Sequence, residues 1–145
     1  MKAVIQRVKS ASVTINDKVF SSIGFGMMVL LCVEKGDTTE NAQKLAEKLS
    51  KLRIFEDENE KMNKSILDIK GEMLVVSQFT LAGDCKKGTR PSFDRAEQPE
   101  IAKKLYESFV EIIKSYQIPV KTGQFQAMMD ISLVNNGPVT FIVEK

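Results

Sequence analysis

The run Phe25-Gly26-Met27-Met28-Val29-Leu30-Leu31-Cys32-Val33 is apolar at consecutive positions, so as an extended chain it turns hydrophobic side chains to both faces. A strand of that kind belongs in the middle of a sheet that is covered on both sides. With 145 residues the chain is long enough to build such a core as one domain, residues 1–145, without disulfide or metal staples. At 43% hydrophobic and 28% charged residues, the composition excludes a disordered or fibrous protein.

The same run is far too short to cross a membrane, and Ala3-Val4-Ile5-Gln6-Arg7-Val8 alternates where a signal peptide would carry an apolar core. A cytoplasmic protein with no membrane contact is expected. Its two cysteines, Cys32 in the apolar run and Cys85 in a polar loop, have no zinc-ligand spacing and read as free thiols. Acidic residues are scattered and histidine is absent, so no metal and no cofactor is expected.

Around the central run, Lys2 to Lys9, Ser12 to Asn16 and Lys18 to Ser22 read as strands, with Asn16-Asp17 as a hairpin turn. Asp37 and Glu40 resemble a capping box that opens a helix whose stripe is Ala42, Leu45, Ala46, Leu49 and Leu52. Met62 to Ile69 is ambiguous, and Glu72 to Gln78 is a second buried strand. A second amphipathic helix starts at Pro99 and carries Ile101, Leu105, Phe109, Ile112, Ile113 and Tyr116 inward. Pro119 ends it and begins a new strand. Met128 to Val134 and Val139 to Val143 read as two strands joined through a turn at Asn135-Asn136-Gly137-Pro138. The fold class is α+β: mainly antiparallel, barrel-like sheets with two amphipathic helices packed on them. Terminal strands with open edges make a homodimer a natural way to cover them.

Two segments hold the candidate chemistry. Ser77-Gln78-Phe79-Thr80 closes the second buried strand, and without histidine its hydroxyls lack the commonest general base. Such a strand end has a structural use, its hydroxyls satisfying local backbone, and an electrostatic one, its N–H groups and the Gln78 amide aimed at an oxyanion. Asn135-Asn136-Gly137-Pro138 is either a plain turn or a site built from backbone, which senses handedness while taking any side chain. Cys85 beside Lys86 and Lys87 is the runner-up nucleophile, with an incidental loop thiol as the plainer reading. Arg7 interrupts an apolar alternation; it either faces solvent or needs fixed acceptors such as backbone carbonyls. Met128 and Met129 read as core filling. A net charge of +2 attracts no polyanion globally, so any contact with RNA is local, and the loop Cys85 to Arg95 is its candidate against a purely solvated role.

Together, Ser77 to Leu81 (SQFTL), Asn135 to Thr140 (NNGPVT) and the lead-in Met129-Asp130-Ile131-Ser132-Leu133 resemble the two signature motifs of the D-aminoacyl-tRNA deacylases. The resemblance extends from Met1-Lys2-Ala3-Val4-Ile5-Gln6-Arg7-Val8, through Lys87-Gly88-Thr89-Arg90-Pro91-Ser92-Phe93, to the closing strand. It implies a homodimeric hydrolase that cleaves the ester between a D-amino acid, or glycine, and the terminal adenosine of tRNA, sparing L forms. It also implies that Gly137-Pro138 is cis, with Asn135 in the same motif, and projects into the partner's site as a chiral gate held by Arg7. Ser77, Gln78, Phe79 and Thr80 would surround the scissile ester, with Met129 beside the gate motif and Phe125 bordering the terminal adenine. The missing histidine favours assistance by the ribose 2′-hydroxyl over Thr80 as nucleophile. The alternatives are a non-catalytic dimeric RNA-binding module and a cysteine- or threonine-dependent hydrolase of a small ester or amide.

Overall fold

The computed structural model describes residues 1–145. In chain order the elements are β1 (Lys2–Ile15), β2 (Lys18–Ile23), β3 (Gly26–Cys32), α1 (Thr39–Lys51), β4 (Phe55–Glu56), β5 (Met62–Lys64) and β6 (Glu72–Ser77). A 3₁₀ turn, Phe79–Ala82, follows, then α2 (Pro99–Ser115), β7 (Val120–Thr122) and β8 (Asp130–Glu144).

β1 organises the sheet. One of its edges pairs antiparallel with β3 through Lys2 to Val8 and with β2 through Ala11 to Ile15, while the other edge pairs with β8 from Lys2 to Thr14. The expected break between Lys9 and Ser12 does not exist. Lys9 and Ser10 are exposed, yet Ser10 stays in register with Val134, and the strand bends through register shifts on either side of Val8. Asn16 and Asp17 both take positive φ, 50° and 60°, which fits the tight turn into β2.

β3 is two-sided, as its composition requires. Met27, Val29 and Leu31 join the larger core under the helices, with Leu45 and Leu49 of α1 and Phe109 and Ile113 of α2. Met28 packs in a smaller cluster with Val8, Val13, Leu74 and Val76 on the opposite face. On its far edge β3 pairs with β6, and β6 with β7, both in parallel. Gly26 permits this: a Cβ there would lie 1.9 Å from the Glu72 carbonyl oxygen. Ser21 Oγ of β2 donates to the Thr122 carbonyl of β7 at 2.7 Å, drawing the two ends of the strand order β2-β1-β3-β6-β7 together into a nearly closed barrel.

One local expectation changes and one open reading is resolved. The box opening α1 is Thr38 with Asn41, whose side-chain oxygen accepts from the Thr38 backbone at 2.9 Å, because Asp37 is engaged by the terminal ammonium of Met1 and by the Glu34 N–H. Of the ambiguous stretch, Met62–Lys64 is a short strand against β4, and Asp68 then caps Ser65 in a turn.

The largest revision concerns the C-terminus. Met128 to Val134 and Val139 to Val143 do not form a hairpin; they are the two halves of β8, lying end to end along β1. Asn135 sits opposite Val8 and Thr140 opposite Gln6, so the residues between them leave the ladder opposite Arg7. Pro138, which has no N–H to donate, falls in that interruption. The Asn135 side chain replaces the missing partner: its Nδ2 donates to the Val139 carbonyl and its Oδ1 accepts from the Val139 N–H, both at 3.1 Å. The Gly137–Pro138 bond is cis. No helix is long and apolar enough to cross a membrane.

Candidate ester site and gate

β6 runs parallel to β3 with Ser77 level with Leu31, and the Gln78 N–H continues the ladder to the Leu31 carbonyl at 2.8 Å. The chain then tightens into the 3₁₀ turn, whose first N–H groups have no acceptor within the turn. The N–H groups of Phe79 and Thr80 accordingly make no hydrogen bond in the chain. The Thr80 hydroxyl donates to Gln78 Oε1 at 2.9 Å, an amide oxygen with no capacity to take up a proton at neutral pH.

Beside this turn lies a cavity of about 490 Å³ with mostly apolar walls, to which Ser77, Phe79, Phe125 and Met129 all contribute. Gln78 and Thr80 do not line it. Phe125 tilts against Tyr106, ring centroids 6.0 Å apart, which fixes it to α2. Glu97 and Gln126 also line the cavity, as do Pro99 and Ala102 from the start of α2. Glu97 and Gln126 carry no sequence signal: they are ordinary loop residues brought in by the crossing into and out of α2. Met128 is no core residue. It is 92% exposed at the cavity edge, while Met129 is half-buried.

Neither cysteine is placed for catalysis here. Cys32 is fully buried with its Sγ 3.6 Å from the Phe79 carbonyl, and burial, reinforced by Glu34, pushes its thiol up to about 11. Cys85 is exposed in its loop and lines a different cleft, with Lys2, Lys86 and Arg95.

Arg7, Asn135, Gly137 and Pro138 form a second group that does not touch the cavity of the same chain. Arg7 is only 4% exposed, which settles its orientation: its guanidinium points inward and donates to three acceptors on two segments. Nε reaches the Asn136 carbonyl at 2.8 Å, Nη1 the Ile54 carbonyl at 2.9 Å, and Nη2 the Glu56 carboxylate at 2.9 Å. Gly137 and Pro138 themselves stand exposed at the surface.

The two groups and their carrier define a class: a nearly closed α+β barrel with an apolar cavity at a strand end and a backbone turn held out from the opposite edge. The sequence pattern of the D-Tyr-tRNA(Tyr) deacylase family matches residues 4–144. A D-aminoacyl-tRNA deacylase from Thermosipho africanus (strain TCF52B) is 56% identical over 99% of this chain and 97% of its own. One from Persephonella marina (strain DSM 14350 / EX-H1) is 60% identical over 99% of this chain and 97% of its own. Among solved structures, a c-Myc DNA Unwinding Element Binding Protein superposes with a TM-score of 0.95 at 42% identity, covering 100% of this chain and 99% of that one. A probable eukaryotic D-amino acid tRNA deacylase shares the fold, with a TM-score of 0.84 at 19% identity over 99% of this chain and 98% of its own. The chain belongs to the D-Tyr-tRNA(Tyr) deacylase family.

Proposed function

We propose that the protein is a D-aminoacyl-tRNA deacylase that hydrolyses the ester between a D-amino acid, or glycine, and the terminal adenosine of tRNA, and spares L-aminoacyl-tRNA. The observation that carries the chemistry is the pair of unengaged N–H groups on Phe79 and Thr80 beside a cavity without histidine, whose one carboxylate, Glu97, is taken up by the Gln98 N–H at 2.7 Å. Such donors stabilise charge as an ester carbonyl turns tetrahedral and need no proton transfer of their own. The attacking water is then activated by the substrate's own ribose 2′-hydroxyl, and Thr80 positions rather than attacks. Phe125 and Met129 supply apolar surface for the adenosine.

The gate works between two copies of the chain. Gly137 and Pro138 stand clear of their own cavity, and the outer edge of β8 is unpaired, with Val134, Phe141 and Ile142 exposed along it. A homodimer through this face covers the apolar strip and carries the turn to the partner's Ser77–Thr80 segment, where rigid backbone excludes the side chain of an L residue. The cytoplasm, where charged tRNA circulates, is the compartment this reading requires.

The test is deacylation of D- and L-tyrosyl-tRNA by wild type and Thr80→Ala, repeated on tRNA ending in 2′-deoxyadenosine. Cleavage of the D form alone, residual activity in Thr80→Ala and loss on the deoxy substrate are expected. Equal cleavage of both enantiomers removes the gate. Complete loss in Thr80→Ala together with full activity on the deoxy substrate restores the threonine nucleophile.

A further inference from the structure

The loop from Cys85 to Phe93 is clamped at its base. Asp84 and Ser92 exchange two backbone hydrogen bonds, of 2.8 and 3.0 Å. Asp84 Oδ1 accepts from the Lys86 N–H at 2.8 Å, and Ser92 Oγ donates to Asp94 at 2.6 Å. At the tip, Gly88 takes a φ of +69°, open to glycine without steric cost. The loop is also tied to the cavity wall: the Phe93 ring meets the edge of Phe79 with centroids 5.2 Å apart.

Charge is concentrated on the tip. Lys86, Lys87 and Arg90 are exposed and form no ion pair, whereas Arg95, at the base, reaches Glu34 at 3.2 Å. No acidic residue lies between Cys85 and Phe93. Because the whole chain carries a formal +2, the protein without these three cations is one net charge negative. The cavity itself cannot hold a phosphate chain, since the one charged residue lining it is Glu97. Cations kept only for solubility have no need of a clamped loop packed against the wall of a cavity.

We propose that Lys86, Lys87 and Arg90 grip the phosphodiester backbone of the tRNA acceptor end just 5′ of its terminal adenosine. The proposal rests on the reading of the cavity as an aminoacyl-tRNA ester site. It identifies where a nearly neutral protein obtains its affinity for a polyanion: from phosphates next to the ester, through release of their counterions.

Three measurements on wild type and the triple variant Lys86→Ala/Lys87→Ala/Arg90→Ala test it. On D-tyrosyl-tRNA, KM rises at least tenfold with kcat held within twofold, and the slope of log(kcat/KM) against log salt becomes shallower by about 2, as expected for three single-strand phosphates. On D-tyrosyl-adenosine, which lacks the phosphates, the variant matches wild type, which also shows that it is folded. Filter binding of uncharged tRNA weakens at least tenfold, and Lys86→Arg/Lys87→Arg binds as wild type does. Unchanged tRNA binding in the triple variant, or an equal loss on both ester substrates, overturns the docking role. Loop-dependent tRNA binding by a wild type that cleaves neither ester upholds the docking and defeats the ester-site reading instead.

Discussion

Arg7 donates from Nε to the carbonyl oxygen of Asn136 at 2.8 Å, joining the middle of the first strand to the interruption in the last. The same guanidinium holds Ile54 and Glu56, so three distant segments share one buried cation.

Lysine cannot replace this fork, because a single ammonium does not span three acceptors in fixed directions. Arg7→Lys is expected to lose about 2 kcal/mol of stability in urea unfolding and to raise cleavage of L- relative to D-tyrosyl-tRNA. Glu56→Gln keeps an acceptor for Nη2 at a site 49% exposed, and costs less than about 1 kcal/mol. A stability loss with unchanged discrimination in Arg7→Lys contradicts its role in holding the gate.

Gly137 has no room for a side chain. A Cβ there would stand 2.2 Å from the Val139 nitrogen, and Val139 is buried and pinned by Asn135. Gly137→Ala therefore displaces the exposed turn and leaves the sheet behind it intact. D-tyrosyl-tRNA turnover is expected to fall about a hundredfold, with unfolding free energy within about 1 kcal/mol of wild type. Wild-type turnover in this variant removes the turn from the site.

At Gly26 the obstruction is the neighbouring strand, 1.9 Å away at the Glu72 carbonyl. Gly26→Ala must part β3 from β6, and a loss of about 3 kcal/mol is expected in urea unfolding at unchanged m-value. Ser77 lies on the same ladder, so activity falls with it.

The two thiols separate by pH. A thiol reagent at pH 8 is expected to label Cys85 alone, and Cys85→Ser abolishes labelling without affecting deacylation. Cys32 stays protonated in the fold up to about 11, whereas in the unfolded chain it ionises from about 8.5. Its folded value is the higher one, so its contribution to stability is complete below that range and is lost as pH rises toward 11. Burial raises the Tyr106 phenol in the same sense. Urea midpoints at pH 8 and 10.5 are therefore expected to differ less in Cys32→Ala than in wild type.

How much of this is legible in the chain depends on whether the decisive partner is near in sequence. β3 and α2 are readable because their burial is written into their own residues, a two-sided apolar run and a stripe behind Pro99. The turn at Asn135 to Pro138 is misread as a hairpin because Asn-Gly and Gly-Pro look alike whether the chain reverses or continues. What decides is β1, more than a hundred positions away, whose free edge accepts both halves of β8. Motif residues Ser77 and Phe79 are found with Phe125 and Met129 at one cavity, whereas Glu97 and Gln126 arrive there through tertiary crossings that no local pattern records.

Because the exposed turn is set into the middle of the longest ladder, with paired strand before and after it, it has no hinge of its own. Its place is fixed by the pairing on either side, so it moves with the sheet as one body, and only a change at the turn itself or at the Arg7 fork that holds it shifts it while the sheet stays folded.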